Sequence, residues 1–236
     1  MDIGITGENG FIGSHLLMSA KRRYGHRVIS FGRPFKISTE SPKIDKVIHC
    51  AAVHRDNNPD NIYKKNMEIH NSLVSILESN NLYPSITMLS SIQEGDGTPY
   101  GKSKKDGADL LSKFCADNNA RFLKFNLNNT FGPFSEPYKY SFVATFCFNI
   151  INDIPCSISD RGITLSYIDD VVDSIFSDDN KNYHKYETSV MQIYEKLLYF
   201  KKSFIDRNEI PKFNSRFDFL LYNTLISFIT YRGANK

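Results

Sequence analysis

The sequence predicts an α/β fold, with a doubly wound parallel sheet and a small C-terminal lobe. Short apolar runs alternate with amphipathic stretches through the first half of the chain. This alternation is typical of right-handed crossovers that place helices on both faces of a parallel sheet. A glycine-rich turn separates the first strand from the first helix. The alternation ends near residue 131, so we predict a core over residues 1–130 and a lobe over residues 131–236, integrated into one domain.

Five strands and three helices of the core follow from local patterns. Apolar, partly β-branched runs are typical of buried parallel strands, and apolar residues at three- and four-residue spacing are typical of helices. Gly25 suits the stop of the first helix. The predicted strands are 2–6, 26–32, 46–52, 85–91 and 120–127. The predicted helices are 14–24, 61–81 and 100–118.

The lobe is predicted from weaker patterns of the same kind. Two apolar stretches have helical spacing, and two short runs suit strands. The predicted helices are 141–153 and 189–204, and the predicted strands are 156–159 and 164–168. Polar, tyrosine-containing segments at 135–140 and 178–186 are predicted to be exposed loops.

Charge and composition exclude several classes of protein. The 236 residues include 29 Lys and Arg against 26 Asp and Glu, a net charge of +3 that is too small to indicate nucleic-acid binding. No apolar run reaches the ~18 residues of a membrane span, and the N-terminus lacks the pattern of a secretory signal, so we expect a cytoplasmic protein. Four cysteines without CxxC spacing are expected to be free thiols. The histidines form no HxH or HxxxH pair, so we expect no metal site.

The glycine-rich turn is the first functional motif. Gly7, Gly10 and Gly13 are spaced three apart, after a strand and before a helix. Glycines allow a tight turn and a close approach of the backbone to a pyrophosphate, while the helix N-terminus offers unpaired N–H groups. Phe11 and Ile12 lie between the second and third glycines and belong to the same binding set. We therefore predict a Rossmann-like dinucleotide site.

A tyrosine and a lysine supply the second motif. Tyr100 and Lys104 are four residues apart and share one face of the predicted helix. A free tyrosine has a pKa of about 10, and a nearby ammonium favours its ionised form, which suits acid–base chemistry. The preceding strand ends in Ser90 and Ser91, either of which offers a hydroxyl to the substrate oxygen.

Together, TGENGFIG and YGKSK resemble the extended short-chain dehydrogenase/reductase family, also described as the NAD-dependent epimerase/dehydratase family. The resemblance selects Ser91 as the catalytic hydroxyl beside Tyr100 and Lys104. It also implies that HCAA (49–52) lines the cofactor, and that an asparagine of the following helix belongs to the cofactor site. The additional cofactor residues implied are Ala51, Ala52 and Asn66.

A subgroup resemblance extends over nearly the whole chain. Only residues 92–99 separate Ser91 from Tyr100, and SSIQ…PYGKSK, NTFGPF, SFVATFCFNI and DRGITLSYIDD are similar to the reductase domain of capsular-polysaccharide UDP-2-acetamido-2,6-dideoxy-hexos-4-ulose reductases. This implies NADPH-dependent reduction of a nucleotide-activated 4-keto-6-deoxy sugar in surface-polysaccharide synthesis. The implied substrate residues, besides Ser91, are Asn129 and Arg55. The diphosphate arginine of the wider family has no exact counterpart in ITLSYIDD, and Arg161 is the candidate because it lies nearby.

The subgroup also sets expectations for partners and domains. It implies a UDP-linked sugar as substrate and a homodimer formed through helices 61–81 and 100–118. Typical members continue into a C-terminal cupin domain, and we expect this chain to lack it. The arginine that is widespread in the strand after residue 120 is replaced by Asn126.

The end of the second strand bears on the choice of cofactor. NAD-selective sites place an acid there, which binds the adenosine ribose and repels a 2′-phosphate. No Asp or Glu occurs from 26 to 39, and Arg33 and Lys36 supply cations instead. Because an arginine fork matches a phosphate, we predict NADP(H) rather than NAD(H).

Two other functions remain open at this point. A sugar-nucleotide 4-epimerase would use the same triad with a tightly bound NAD, and a non-catalytic NADP-binding scaffold or sensor would use only the turn. A 4,6-dehydratase is disfavoured, because such enzymes carry Asp-Glu where this chain has Ile92-Gln93.

Overall fold

The computed structural model describes residues 1–32, 34–37 and 43–229. The elements of the first half are β1 (Asp2–Thr6), α1 (Phe11–Arg22), β2 (Arg27–Ser30), β3 (Lys46–His49), α2 (Asp60–Ser79), β4 (Ser85–Ser91), α3 (Pro99–Asp117) and β5 (Phe122–Leu127). These strands form one parallel sheet in the order β2-β1-β3-β4-β5. The predicted Rossmann-like α/β fold is therefore confirmed.

The strand order reverses between β1 and β3, and this reversal creates the crevice that positions the site. Because parallel crossovers are right-handed, the change of direction places α1 on one face of the sheet and α2 and α3 on the other. Thr6 pairs with His49, so β1 and β3 end side by side. Ligands of such sheets bind beyond the carboxyl ends of the strands at this switch point.

One layer of the core lies between the sheet and helices α2 and α3. Gly4 of β1 makes room for it, since a Cβ there would lie 2.5 Å from the ring of Phe31. The buried residues of this layer are Ile29, Phe31, Ile44, Val47, Leu73, Leu77, Ile86, Met88, Ala108, Leu111, Phe114 and Cys115. Burial of these apolar side chains fixes the two helices against the strands whose ends carry the site.

The second half of the chain contributes a smaller mixed sheet. Its elements are β6 (Asn129–Phe131), α4 (Phe142–Ile151), β7 (Gly162–Tyr167), α5 (Ile168–Phe176), β8 (Tyr186–Ser189), α6 (Val190–Phe200), a π-helix (Lys201–Asp206) and α7 (Arg216–Ile226). The strands are ordered β6-β7-β8, with β6 parallel and β8 antiparallel to β7.

Aromatic side chains hold this second sheet to α7. The ring of Phe131 lies 5.7 Å from that of Phe217, and Phe217 stacks on Tyr186 at 4.8 Å. Arg216 makes an ion pair of 2.6 Å with Asp170 and donates a hydrogen bond of 2.6 Å to the hydroxyl of Tyr186. Ring packing and a two-pronged ion pair therefore fix the start of α7.

The chain forms two compact units, and their division differs from a single boundary at residue 130. The first unit contains residues 1–127 and 172–182, and the second contains 128–171 and 183–236. The returning segment is tied to the first unit by polar contacts. Asp178 accepts from Lys46 at 2.5 Å and Arg121 at 3.0 Å, and Asn180 donates to the carbonyl oxygen of Lys124 at 2.9 Å.

Several predictions for the lobe are wrong in detail. The segment predicted as a strand at 156–159 is not one, because it pairs with no strand of the second sheet and none of its residues is buried. The helix predicted at 189–204 is α-helical only to Phe200 and continues as the π-helix. The predicted exposed loops contain two buried residues, Ser135 and Tyr183. No helix in the described ranges is long and apolar enough to cross a bilayer.

Candidate active site

The turn between β1 and α1 is closed by backbone groups. Gly7 lies in the left-handed region at φ +73°, and its carbonyl oxygen accepts a hydrogen bond of 2.9 Å from the N–H of Gly10. A Cβ on Gly13 would lie 2.1 Å from that same oxygen, and a Cβ on Gly7 would lie 2.8 Å from the backbone nitrogen of Ala51. Both positions therefore require glycine, since a side chain would push the turn away from α1 or β3.

The amino end of α1 follows directly from this turn. Gly10 is the N-cap residue, and no side chain caps the helix there. Phe11 and Ile12 are the first two residues of α1, so their N–H groups have no carbonyl acceptor within the helix. Such groups, together with the helix dipole, attract a pyrophosphate. The geometry of the turn therefore fits a dinucleotide.

The loop after β3 is fixed by a buried asparagine. Asn66 of α2 accepts a hydrogen bond of 2.7 Å from the N–H of Val53 and donates one of 3.1 Å to its carbonyl oxygen. It also donates to the hydroxyl of Ser103 on α3 at 3.0 Å. Ala51 is buried and Ala52 half-buried beside it. Asn66 therefore holds the strand end that carries both alanines, and direct cofactor contact by these three residues stays a prediction.

A chain of buried polar side chains joins β1 to α2. Thr6 Oγ1 lies 2.8 Å from His49 Nδ1, and His49 Nε2 lies 2.9 Å from His70 Nδ1. Burial holds the pKa of His49 well below its usual range and lowers the pKa of His70 to about 3. Both rings are therefore neutral at physiological pH and serve to fix the neighbouring strand ends.

The structure brings Ser91, Tyr100 and Lys104 to the same edge of the sheet. Ser91 is the last residue of β4, and Tyr100 and Lys104 lie on the first turns of α3, which follows it. The Lys104 ammonium lies 5.7 Å from the centre of the Tyr100 ring and donates a hydrogen bond of 2.8 Å to the carbonyl oxygen of Leu89. The lysine is thus anchored on β4 beneath the tyrosine.

Burial changes the acid–base properties of this pair. Lys104 is only 3% exposed, and its desolvation lowers the pKa of the ammonium to about 8, against small opposing effects from Cys50 and Glu94. Desolvation raises the pKa of Tyr100. Without ligands, Tyr100 therefore keeps its proton at neutral pH, which suits a proton donor.

The two serines at the end of β4 have different environments. Ser90 is buried, and its hydroxyl donates a hydrogen bond of 2.7 Å to Glu94, which also pairs with Lys124 at 2.5 Å. Ser91 is half-buried, and its hydroxyl oxygen accepts only a weak bond of 3.2 Å from the N–H of Gln93. The Ser90 hydroxyl is already hydrogen-bonded within the protein, so the geometry favours Ser91 as the hydroxyl that is offered to a substrate.

The short segment between β4 and α3 is closely packed. Thr98 caps α3 by accepting from the N–H of Gly101 at 3.0 Å, and Asp96 in turn accepts from the Thr98 hydroxyl at 2.6 Å. A Cβ on Gly101 would lie 2.2 Å from both Asp96 Oδ1 and the carbonyl oxygen of Gln93. The segment therefore sets a fixed spacing between Ser91 and Tyr100.

Two further residues at this edge were not predicted as site residues. The ring of His54, an exposed residue, lies 5.2 Å from that of Tyr100, so it borders the tyrosine that is predicted to be catalytic. Glu8, inside the glycine turn, contacts the end of β2. His54 lies two residues after the HCAA segment, and this position was a usable signal, whereas the direction of the Glu8 side chain depends on the folded turn.

The remaining predicted residues are divided between the units. Arg55 is exposed in the loop after β3 of the first unit. Asn129 begins β6 and Arg161 directly precedes β7, both in the second unit. Arg33 lies outside the described residues. Substrate or cofactor contact by these four residues stays a prediction. Within the described ranges, no group of His, Cys, Asp and Glu is arranged to hold a metal ion.

The chain belongs to the NAD dependent epimerase/dehydratase family, whose family model matches residues 3–177. The UDP-2-acetamido-2,6-beta-L-arabino-hexul-4-ose reductase of Pseudomonas aeruginosa is 32% identical to it over 245 aligned positions, which cover 97% of this chain. The chain spans 65% of the length of that relative.

Solved structures show the same fold. The capsular polysaccharide assembling protein CapF from Staphylococcus aureus is 27% identical and superposes with a TM-score of 0.81, covering 100% of this chain and 67% of that one. RMD from Pseudomonas aeruginosa, complexed with NADPH, has a TM-score of 0.78 at 15% identity, with 98% of each chain covered. At that identity the second likeness concerns the fold alone.

Proposed function

We propose that this chain is an NADPH-dependent reductase of a UDP-linked 4-keto-6-deoxy-N-acetylamino sugar in surface-polysaccharide synthesis. The observation that carries the proposal is the buried Lys104 ammonium, 5.7 Å from the Tyr100 ring at the end of the strand that supplies Ser91. The relatives support the substrate class, since one is a hexul-4-ose reductase and another assembles capsular polysaccharide.

The three side chains have distinct roles in the proposed reaction. NADPH, when bound, supplies a hydride to the carbonyl carbon of the sugar. Tyr100 donates its phenolic proton to the carbonyl oxygen, which becomes the product hydroxyl, and its raised pKa keeps that proton available. Ser91 donates a hydrogen bond to the same oxygen as negative charge develops on it. Lys104 stabilises the phenolate until solvent returns a proton.

The cofactor proposal depends on the turn and on the end of β2. The missing side chains of Gly7 and Gly13 let the turn pack closely against β3 and α1, with the N–H groups of Phe11 and Ile12 in position to hold a pyrophosphate. Lys104 would also hold the nicotinamide ribose. Arg33 supports NADP(H) over NAD(H) from the sequence, because its guanidinium suits a 2′-phosphate.

The proposed substrate residues besides Ser91 are Arg55, Asn129 and Arg161. All three carry side chains that can hydrogen-bond a sugar or a diphosphate. We further propose that the enzyme works in the cytoplasm as a homodimer formed through the helices predicted at 61–81 and 100–118, which sedimentation of the purified protein would test.

An assay with a panel of UDP- and dTDP-linked 4-keto sugars tests the proposed reaction. We expect NADPH absorbance to fall on addition of a UDP-linked 4-keto-6-deoxy-N-acetylhexosamine, and Tyr100→Phe to bind NADPH but not consume it. Tightly bound NAD in the purified protein, with sugar interconversion and no net cofactor use, would instead establish a 4-epimerase. Nucleotide binding without turnover of any sugar in the panel would favour a non-catalytic scaffold.

A further inference from the structure

The carboxylate of Glu8 lies at the carboxyl end of β2, where the sequence predicts no acid. Glu8 follows Gly7 in the glycine turn, but its side chain reaches the carboxyl end of β2 and is only 9% exposed. Its Oε1 accepts hydrogen bonds from the Ser30 hydroxyl and from the N–H of Gly32, the latter at 3.3 Å. The carboxylate is thus held against the strand end by one side-chain and one backbone donor.

The end of the second strand is where sheets of this class select their dinucleotide. An acid there accepts hydrogen bonds from the adenosine ribose hydroxyls and repels a 2′-phosphate. Residues 26–39 contain no acid, yet the turn delivers the Glu8 carboxylate to this strand end. Both hydrogen bonds are made through Oε1, which leaves Oε2 able to accept from a ligand hydroxyl.

We propose that Glu8 is a specificity-determining residue of the dinucleotide site, which binds the adenosine ribose and weakens binding of a 2′-phosphate. The inference rests on the dinucleotide site of the proposed function. Glu8 thereby opposes the NADP(H) preference that is proposed for Arg33. The charge of the carboxylate carries the effect, because at short range in a partly buried site like charges repel strongly.

Binding of two adenosine nucleotides tests this role without turnover. Adenosine 2′,5′-bisphosphate carries the 2′-phosphate and adenosine 5′-monophosphate lacks it, and titration calorimetry measures both affinities. Glu8→Gln keeps the shape and the Oε1 acceptor but removes the charge, so we expect the 2′,5′-bisphosphate to bind about tenfold more tightly relative to the monophosphate. Glu78→Gln, at the carboxyl end of α2, removes an exposed charge and should leave the ratio of the two affinities unchanged.

The outcomes separate this inference from the proposed function. Measurable binding with the same affinity ratio in wild type and Glu8→Gln would overturn the role of Glu8 and leave the dinucleotide site intact. If wild type binds neither nucleotide, nor NADPH, both the site and the inference are overturned. Glu8→Ala provides a second charge-removing variant, and its melting temperature and circular dichroism report whether the fold is retained.

Discussion

The Lys104 ammonium lies 5.7 Å from the centre of the Tyr100 ring, and burial gives the two groups opposite pKa shifts. The pKa of Lys104 falls to about 8, and that of Tyr100 rises. The lysine therefore loses its proton first as the pH increases, while the tyrosine keeps the proton that we propose it donates. In the proposed reaction the Lys104 ammonium supports Tyr100, so its deprotonation limits the rate in alkaline solution.

The first prediction follows from this order of titration. Reductive kcat/KM for NADPH, which reports on the free enzyme, should be constant below about pH 8 and fall above it as Lys104 deprotonates. Circular dichroism at each pH serves as the control for unfolding. A flat profile through about pH 10 would show that the ammonium is not needed.

The second prediction concerns the proton donor. Tyr100→Phe keeps the ring, including its contact with His54, but deletes the hydroxyl. We expect kcat to fall by about 10²- to 10⁴-fold with little change in the melting temperature or in the Kd for NADPH. Near wild-type turnover would remove Tyr100 from this role.

The third prediction separates two neighbouring serines. Ser91→Ala should lower kcat by about 10²-fold, since it deletes a donor to the developing oxyanion. Ser90→Ala is the matched control, because its hydroxyl is bonded to Glu94. It should cost about 1 kcal/mol of unfolding free energy with little loss of kcat. Denaturant unfolding and steady-state kinetics measure both effects. A large loss of kcat in Ser90→Ala, with little loss in Ser91→Ala, would assign catalysis to Ser90.

The fourth prediction tests the packing of the glycine turn. Gly13→Ala would place a Cβ 2.1 Å from the Gly7 carbonyl oxygen, so the turn must shift. We expect the affinity for NADPH, measured by fluorescence titration, to fall by at least about tenfold, on the scale of overpacking. Gly162→Ala is the control, since its Cβ would meet nothing closer than 4.0 Å. Equal NADPH affinities in Gly13→Ala and Gly162→Ala would contradict the close packing of Gly13 against the Gly7 carbonyl oxygen.

Local patterns were sufficient to predict the strands and helices of residues 1–127. The apolar runs and the turn residues determine strand and helix positions there, and α1 differs mainly in starting at Phe11 rather than at residue 14. The glycine spacing also predicts the tight turn, since Gly7 and Gly13 pack against backbone atoms. Predictions succeed here because the physical cause lies within a few residues of the pattern.

The failures concern features that depend on distant residues. The segment predicted as a strand at 156–159 pairs with neither edge of the sheet β6-β7-β8, which a local pattern cannot show. The return of residues 172–182 to the first unit depends on partners such as Lys46. Likewise, the absence of an acid in residues 26–39 did not exclude an acid at the end of β2, because Glu8 reaches it through the folded turn.

Transfer of deuterium tests the central claim most directly. NADPH labelled at nicotinamide C4 with deuterium on the transferable side should be consumed with the UDP-linked 4-keto-6-deoxy-N-acetylhexosamine, and the product alcohol should carry one deuterium at sugar C4. Both stereospecifically labelled forms are needed, and mass spectrometry with NMR locates the label. A product without deuterium from either form, or sugar turnover without consumption of NADPH, would contradict the account.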